Sequence, residues 1–381
     1  MRMAFKPLPV FLRDGGSMVT SNEPVGIGMI GAGYISSIYL QNCIAMFDNL
    51  RVVGISDLEM DRARSQAEAH GVEAFTVDDL IVHADVEIIV NLTIPAAHGD
   101  VALAAVEAGK SVYNEKPLTT SREQGQRLLH RAGETGVLVG GAPDTFLGGG
   151  LQTVRRLLDE GEIGTPVAAS GMMLSSGHEG WHPNPHFYYQ PGGGPLFDMG
   201  PYYLTALMSL LGPVMRVSGV TTASVSTRTI GSGARRGEVI PVETPTHIIT
   251  SLEFACGPTA SLTTSFDVWE TTHSSLVIYG TGGTLRLPDP NTFGGPVELL
   301  RAGSAAWESV EIVAGHTENC RGIGVSDLAR AIRSGEPLRA SGEMAYHVVD
   351  IMHAALESGE QGRRIAIDST FDLPDPLLRL P

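Results

Sequence analysis

"VGIGMIGAGYIS", residues 25–36, is an apolar run that ends in glycines and gives way to helical spacing. Such a run suits a strand buried on both faces, and glycines at its end suit a tight turn. Gly31, Gly33 and Ser36 occupy the three fixed positions of a G-x-G-x-x-G fingerprint, with serine in the last place. The first glycine permits the turn and the second lets backbone approach a pyrophosphate. The third position needs only a small residue. The amides from Gly31 to Ile35, Tyr34 among them, then lie where a phosphate would sit.

Working outward, apolar runs alternate with helical patterns. "LRVVGISD" (50–57) reads as a second strand and "LEMDRARSQAEAHG" (58–71) as a polar-faced helix ending on Gly71. "VEIIVNLT" (86–93) is a third strand, "AAHGDVALAAVEAG" (96–109) a helix, and "KSVYNEKP" (110–117) a strand with its exit. "SREQGQRLLHRAGETG" and "VLVGGAPDT" continue the pattern. Strand and helix in alternation predict a doubly wound parallel sheet, a Rossmann domain. Asp57 closes the second strand, 24 residues beyond Gly33. An acid there hydrogen-bonds a ribose 2′-hydroxyl and repels a 2′-phosphate, which favours NAD. Leu58 rather than arginine follows it, while Arg62 and Arg64 keep NADP open.

A chain of 381 residues exceeds what one core usually supports, so two domains are expected. The division falls into a mobile tail over 1–22, a dinucleotide-binding domain over 23–143 and a substrate and oligomer domain over 144–381. The tail is broken by Pro7 and Pro9 and lacks the apolar core of a signal peptide. A net charge of −16 disfavours nucleic acid as the main partner. Cys43, Cys256 and Cys320 have no zinc or disulfide spacing, which suits a reducing cytoplasm and no metal. No apolar run approaches the length of a membrane span.

"EAGKSVYNEKP" (107–117) places Lys116 at a strand end, between a carboxylate and a proline. With "NLTIPAAHGDVALAAVEAG" (91–109) and "GGGPLFDMGPY" (192–202), it resembles the Gfo/Idh/MocA oxidoreductase family. "VIYGTGGTLRLPDP" (277–290) and the stretch from Val325 to Ile367 extend the resemblance over most of the chain. The resemblance implies a second α/β domain built on an open, mostly antiparallel sheet, in a homodimer or homotetramer. It implies hydride transfer between a nicotinamide and a secondary alcohol of a sugar or cyclitol. Thr93, Pro95, His98, Glu115 and Lys116 are then cofactor neighbours. Lys116, Asp198 and the last residue of a D-x-G-x-H motif, here Tyr202, are the catalytic set. Two other readings stay open: a glycoside-cleaving enzyme that oxidises its sugar transiently, and a non-catalytic sensor. Pro143-Asp144 stands near a place where many members have arginine-phenylalanine.

The motif's histidine is replaced here, and a phenol with an ordinary pKa near 10 is costly to ionise at neutral pH. A neighbouring ammonium such as Lys116 would lower that cost. Pro201 suggests a helix beginning close to Asp198, with Asp198 near its N-terminus. Rival bases lie in "SSGHEGWHPNPHFYYQP" (175–191), where His178, His182 and His186 accompany Trp181. Trp181, His182 and His186 are taken as substrate-binding with Lys116, Asp198 and Tyr202, and His186 ranks first for its nearness to the glycine loop. Trp269, His273 and Tyr279 alternate in a strand-rich zone and read as core rather than pocket, and "RTIGSGARRGEVIP" (228–241) reads as a solvated hairpin tip or an oligomer contact.

Overall fold

The computed structural model describes residues 23–312 and 315–377, so the tail expected over 1–22 lies outside the described residues. The alternating runs form a first sheet of β1 (Val25–Ile30), β2 (Leu50–Ser56), β3 (Glu73–Phe75), β4 (Ile88–Asn91), β5 (Ser111–Asn114) and β6 (Val139–Gly141). All pair in parallel, in the order β3-β2-β1-β4-β5-β6. Strand order reverses between β1 and β4, which opens a crevice beyond their carboxyl ends. Helices α1 (Ser36–Ala45), α2 (Met60–His70), α3 (Val77–Val82), α4 (Pro95–Glu107) and α5 (Arg122–Thr135) make the connections. β1, β4 and β5 are buried throughout, as strands covered on both faces must be. The sequence reading passes over β3 and α3. One is a short strand with no fully buried residue, and the other is a brief helix capped by Thr76, too short for a hydrophobic period.

The chain then leaves through α6 (Gly149–Asp159) and enters a larger sheet at β7 (Pro166–Leu174). After α7 (Gly194–Leu211) come β8 (Val214–Thr222), a separate two-stranded ribbon of β9 (Thr227–Thr229) and β10 (Val239–Pro241), β11 (His247–Phe254) and β12 (Thr259–Ser265). β13 (Leu276–Gly280), β14 (Gly283–Leu287), β15 (Val297–Arg301) and β16 (Glu308–Val310) extend one edge. Only β7 and β12 pair in parallel, so this open sheet is mostly antiparallel. Helices α6 and α7 cover one face. The opposite face is open, with Val220 and Ile249 paired across β8 and β11 at 61% and 43% exposure.

Two late helices tie the sheets together. α8 (Ile323–Ser334) returns to β5 and β6, and α9 (Gly342–Gln361) runs from β6 and α5 to β8. The approach of α8 is close enough to demand glycine: a Cβ on Gly324 would stand 2.3 Å from the Tyr113 hydroxyl. The last short strand, β17 (Ile365–Ala366), then pairs with β8.

Trp269, His273 and Tyr279 are not core; Trp269 is 91% exposed, and all three stand at the surface. The alternation that suggested a strand belongs, for Trp269 and His273, to a loop before β13.

Candidate active site

At the fingerprint, Gly31 has a φ of +108°, and a Cβ there would lie 2.6 Å from the Leu92 carbonyl. A Cβ on Gly33 would meet nothing, so this turn leaves open room above its backbone. Ser36 is buried, and its hydroxyl donates to the Gly33 carbonyl at 2.7 Å, closing the turn on itself. Tyr34, Leu58 and Ile94 stand at the ends of β1, β2 and β4 with exposures of 101%, 94% and 69%. Large apolar side chains left open around a bare glycine turn fit the two flat rings and pyrophosphate of a dinucleotide. Ile35 is half-buried and packs against the core. Asp57 accepts the Ala32 amide through Oδ2 and the Glu59 amide through Oδ1, both at 2.8 Å. The same carboxylate that would meet a ribose therefore also braces the turn.

Two residues expected at the cofactor turn elsewhere. His98 is fully buried, and its ring nitrogens lie 2.6 and 3.0 Å from the carbonyl oxygens of Pro117 and Thr93. Burial holds its pKa below the usual histidine range. His98 thus sits between the β4 exit and the "NEKP" turn, where its one N–H bonds one of the two carbonyls. Glu115 accepts the Tyr39 hydroxyl at 2.9 Å and the Lys116 amide at 2.9 Å, which directs it toward α1. Thr93 donates to Asn91 at 2.7 Å, and exposed Pro95 opens α4 beside Lys116.

Lys116 is the centre of the site. Its ammonium donates to the Asp198 backbone oxygen at 2.7 Å and to Asp198 Oδ1 at 3.0 Å. Burial pulls its pKa down, but the Asp198 carboxylate, Tyr202 and Glu115 outweigh burial and hold it above the ordinary lysine range. Burial pushes Asp198 up; Lys116 and a bond from His178 overcome this and hold the carboxyl down to about 2. The His178 bond, Nε2 to Asp198 Oδ2, is 2.8 Å long. The helix does not begin at Asp198: α7 starts at Gly194 with Pro195 in its first turn, and Pro201 lies inside it. Pro201 offers no N–H to the Phe197 carbonyl and crowds that turn, which loosens the ladder beside the carbonyl that Lys116 takes.

Tyr202 fills the place of the motif's histidine with a buried phenol. Lys116 lies over its ring, 5.3 Å from the centroid, while the hydroxyl is beside Arg321. Burial raises the phenol's pKa, and Lys116 and Arg321 offset this only in part. The expected help from Lys116 is present but loses to desolvation.

The histidine loop is ordered by aromatic packing. The His178 ring sits between Tyr188 and Phe266, at centroid distances of 4.3 and 4.7 Å, with Trp181 edge-on at 5.3 Å. His182 packs on Trp181, Phe187 and Tyr188, and His186 carries a buried Nε2 without a hydrogen-bond partner. Of the three loop histidines it is His178, not the one nearest the glycine loop, that bonds Asp198. The 228–241 segment is no free tip: Arg228 bridges Glu179 and Asp267 and lies 5.6 Å over the Tyr189 ring. Gly231 donates to the Glu179 carbonyl at 2.7 Å, clamping the ribbon on this loop. Arginine pairing across fifty residues leaves no trace in sequence spacing, so this contact was missed.

Asp144 was likewise unread. Its Oδ2 accepts the amides of Gly322 and Gly324 at 2.9 and 3.1 Å, capping the start of α8. Burial pushes this carboxyl up to about 6.

A cavity of about 570 Å³ opens beside Lys116 and Asp198, between the β4 exit and the 187–197 segment. Pro95 lines it, whereas Trp181, His182, His186 and Tyr202 do not. Among the described residues no group of three or more His, Cys, Asp or Glu side chains could hold a metal ion. No described helix is long and apolar enough to cross a membrane.

A glycine-turn crevice on a parallel sheet, joined to a cleft where Lys116 after β5 meets Asp198 on α7, defines a Rossmann-type fold with a second α/β domain. Residues 25–141 match the NAD-binding Rossmann domain of the Gfo/Idh/MocA oxidoreductases and residues 151–286 match their C-terminal domain; the chain belongs to this family. Inositol 2-dehydrogenase of Klebsiella pneumoniae (strain 342) is 33% identical over 150 residues, 37% of this chain and 43% of that protein. The chain thus matches less than half the length of such curated relatives. The fold is similar to that of an NAD binding oxidoreductase from Klebsiella pneumoniae, with a TM-score of 0.79 at 21% identity, over 90% of this chain and 99% of that one. Levoglucosan dehydrogenase, solved in complex with NADH and L-sorbose, gives 0.77 at 19% identity, over 91% and 100%.

Proposed function

We propose that the protein is an NAD-dependent dehydrogenase acting on a secondary alcohol of a sugar, cyclitol or sugar derivative. The observation that carries this reading is the Lys116 ammonium, fixed by Asp198 at the carboxyl end of β5 and opening on the cavity. Bound NAD supplies a hydride acceptor. The chain's own residues do the rest. Lys116 donates to the reacting oxygen and stabilises negative charge as the O–H bond breaks. Asp198 holds that ammonium in place, and its charge keeps the lysine protonated. The alcohol loses its carbinol hydrogen with the bonding pair and its hydroxyl hydrogen as a proton; a ketone remains. The hydroxyl proton goes to His178, the imidazole that Asp198 holds through Nε2. Tyr202, buried and held neutral, supports Lys116 from beneath.

NAD is the proposed partner over NADP because Asp57 would repel a 2′-phosphate. The uncovered sheet face is where a homodimer or homotetramer would form, and a cytoplasmic setting belongs to the same reading. The family relatives named for inositol and levoglucosan support the substrate class.

The test is appearance of reduced nicotinamide with sugars, cyclitols and glycosides, using NAD and NADP in parallel. Lys116→Ala is expected to lower kcat by roughly 10²–10³-fold, as for loss of one charge-stabilising donor. Full turnover by that variant would remove the reading, and a clear NADP preference would remove the role given to Asp57.

A further inference from the structure

We infer that the substrate is a sugar bearing an aromatic aglycone rather than a bare, fully hydroxylated ring. This rests on the dehydrogenase reading for the reaction and on the cavity beside Lys116 for the shape of the molecule. Ile94, Pro95 and Ala96, at the β4 exit, form the side toward the dinucleotide crevice. The opposite wall is Phe187, Tyr188, Pro191 and Phe197. Polar side chains on the cavity are few, and most are already engaged. Lys116 and Asp198 hold each other, and Thr120 donates to Gln124 at 3.2 Å. Among the described residues, apart from the third ammonium hydrogen of Lys116, only Gln190 and the Tyr188 hydroxyl line the cavity with an uncommitted polar side-chain group.

A ring with a hydroxyl on nearly every carbon needs a donor or acceptor for each, and every hydroxyl buried without one weakens binding. An aromatic substituent makes the opposite demand, for a flat apolar wall with a small number of polar anchors. That wall is preformed. Phe187 stands half-exposed at the lip, with the Tyr188 ring 4.0 Å away and tilted by 34°. Tyr188 is backed in turn by His178, which is bonded to Asp198. The apolar wall and the reacting groups are therefore held in one register. A ligand whose aglycone fills the wall presents its sugar to Lys116.

The test compares phenyl β-glucoside with methyl β-glucoside, glucose and myo-inositol. Each is titrated calorimetrically into the protein with and without NAD, then assayed for turnover. Phenyl β-glucoside is expected to bind at least about tenfold more tightly than the methyl glycoside, the scale of a filled apolar subsite. Phe187→Ala, a change at a half-exposed position, is expected to shrink that advantage to roughly threefold or less. Equal binding of the four compounds, binding of none, or an advantage that survives Phe187→Ala overturns the inference. Selective binding of the phenyl glycoside without reduced nicotinamide keeps this inference and removes the dehydrogenase reading. Turnover of myo-inositol or glucose with no aryl preference does the reverse.

Discussion

Asp198, largely buried, and Asp144, fully buried, are carboxylates near the junction of the two sheets, yet their environments drive them in opposite directions. Asp198, on α7, meets a lysine ammonium and an imidazole, and is held down to about 2. Asp144, after β6, meets backbone amides of Gly322 and Gly324, and burial pushes it up to about 6. The nearby Arg321 directs its guanidinium to Asn291, Asn319 and the Tyr202 side instead. Burial costs both charges alike; what separates them is the provision of a side-chain cation. The cleft carries a fixed negative charge, and the seam carries an acid able to shed its charge.

The largest break in this contrast is Asp198→Asn. It leaves the Lys116 ammonium buried without its carboxylate, and losing one partner of such a pair costs about 3–5 kcal/mol. Because the folded pKa of Asp198 is depressed, its contribution is present above the unfolded value of 3.8 and is lost as pH falls toward about 2. Urea unfolding at pH 7 is therefore expected to show the full loss, and the gap to wild type should narrow below pH 4. An unchanged midpoint at pH 7 would mean that Lys116 is not held by this carboxylate.

Asp144→Asn should do the opposite. A folded pKa of about 6 against 3.8 means that the acid is favourable when protonated, so its contribution fades as pH rises through about 6. That difference between the folded and unfolded acid corresponds to about 3 kcal/mol. Asparagine can still accept the two amides, so the variant is expected to be more stable than wild type by about that amount at pH 8. At pH 4 the two should converge. A variant that is less stable at pH 8 would show that the charge on Asp144 serves α8 through its N-terminal dipole.

The two carboxylates also differ in how far the sequence exposes them. Asp198 follows a glycine run and pairs with a strand-end lysine that the alternation of "KSVYNEKP" locates, so motif and period both point at it. The parallel sheet was legible for the same reason: its strands are apolar over their whole length, and Gly31 and Gly33 mark the turn. Asp144 lies in the exit from β6, and its partners are amides more than 170 residues away. Backbone donors have no residue type, so no pattern could reveal them. His178 shows the same limit. Its bond to Asp198 depends on ring packing against Tyr188 and Phe266, whereas sequence offers only distance along the chain and so favoured His186. The start of α7 was misplaced because Pro201 was taken as a first-turn residue, when Pro195 already fills that role.

The smallest expected effect bears on the group between the two regions. Tyr202 lies under Lys116 with its ring and reaches toward Arg321 with its hydroxyl, so it touches both the cleft and the seam. Tyr202→Phe keeps the ring beneath the ammonium and removes only the hydroxyl. Loss of one buried polar contact costs about 1 kcal/mol of stability. If the phenol carries no proton during the reaction, kcat should stay within roughly threefold of wild type, with an unaltered dependence on pH. His178→Gln keeps a side chain able to bond Asp198 but cannot accept a proton; kcat should fall by about tenfold or more. The pair of variants is decisive because Tyr202→Phe keeps its ring and His178→Gln keeps its bond to Asp198, while each deletes one candidate for the proton. A larger loss in Tyr202→Phe than in His178→Gln would return the proton to the last residue of the motif, and the Asp198–His178 bond would then be a brace for the carboxylate alone.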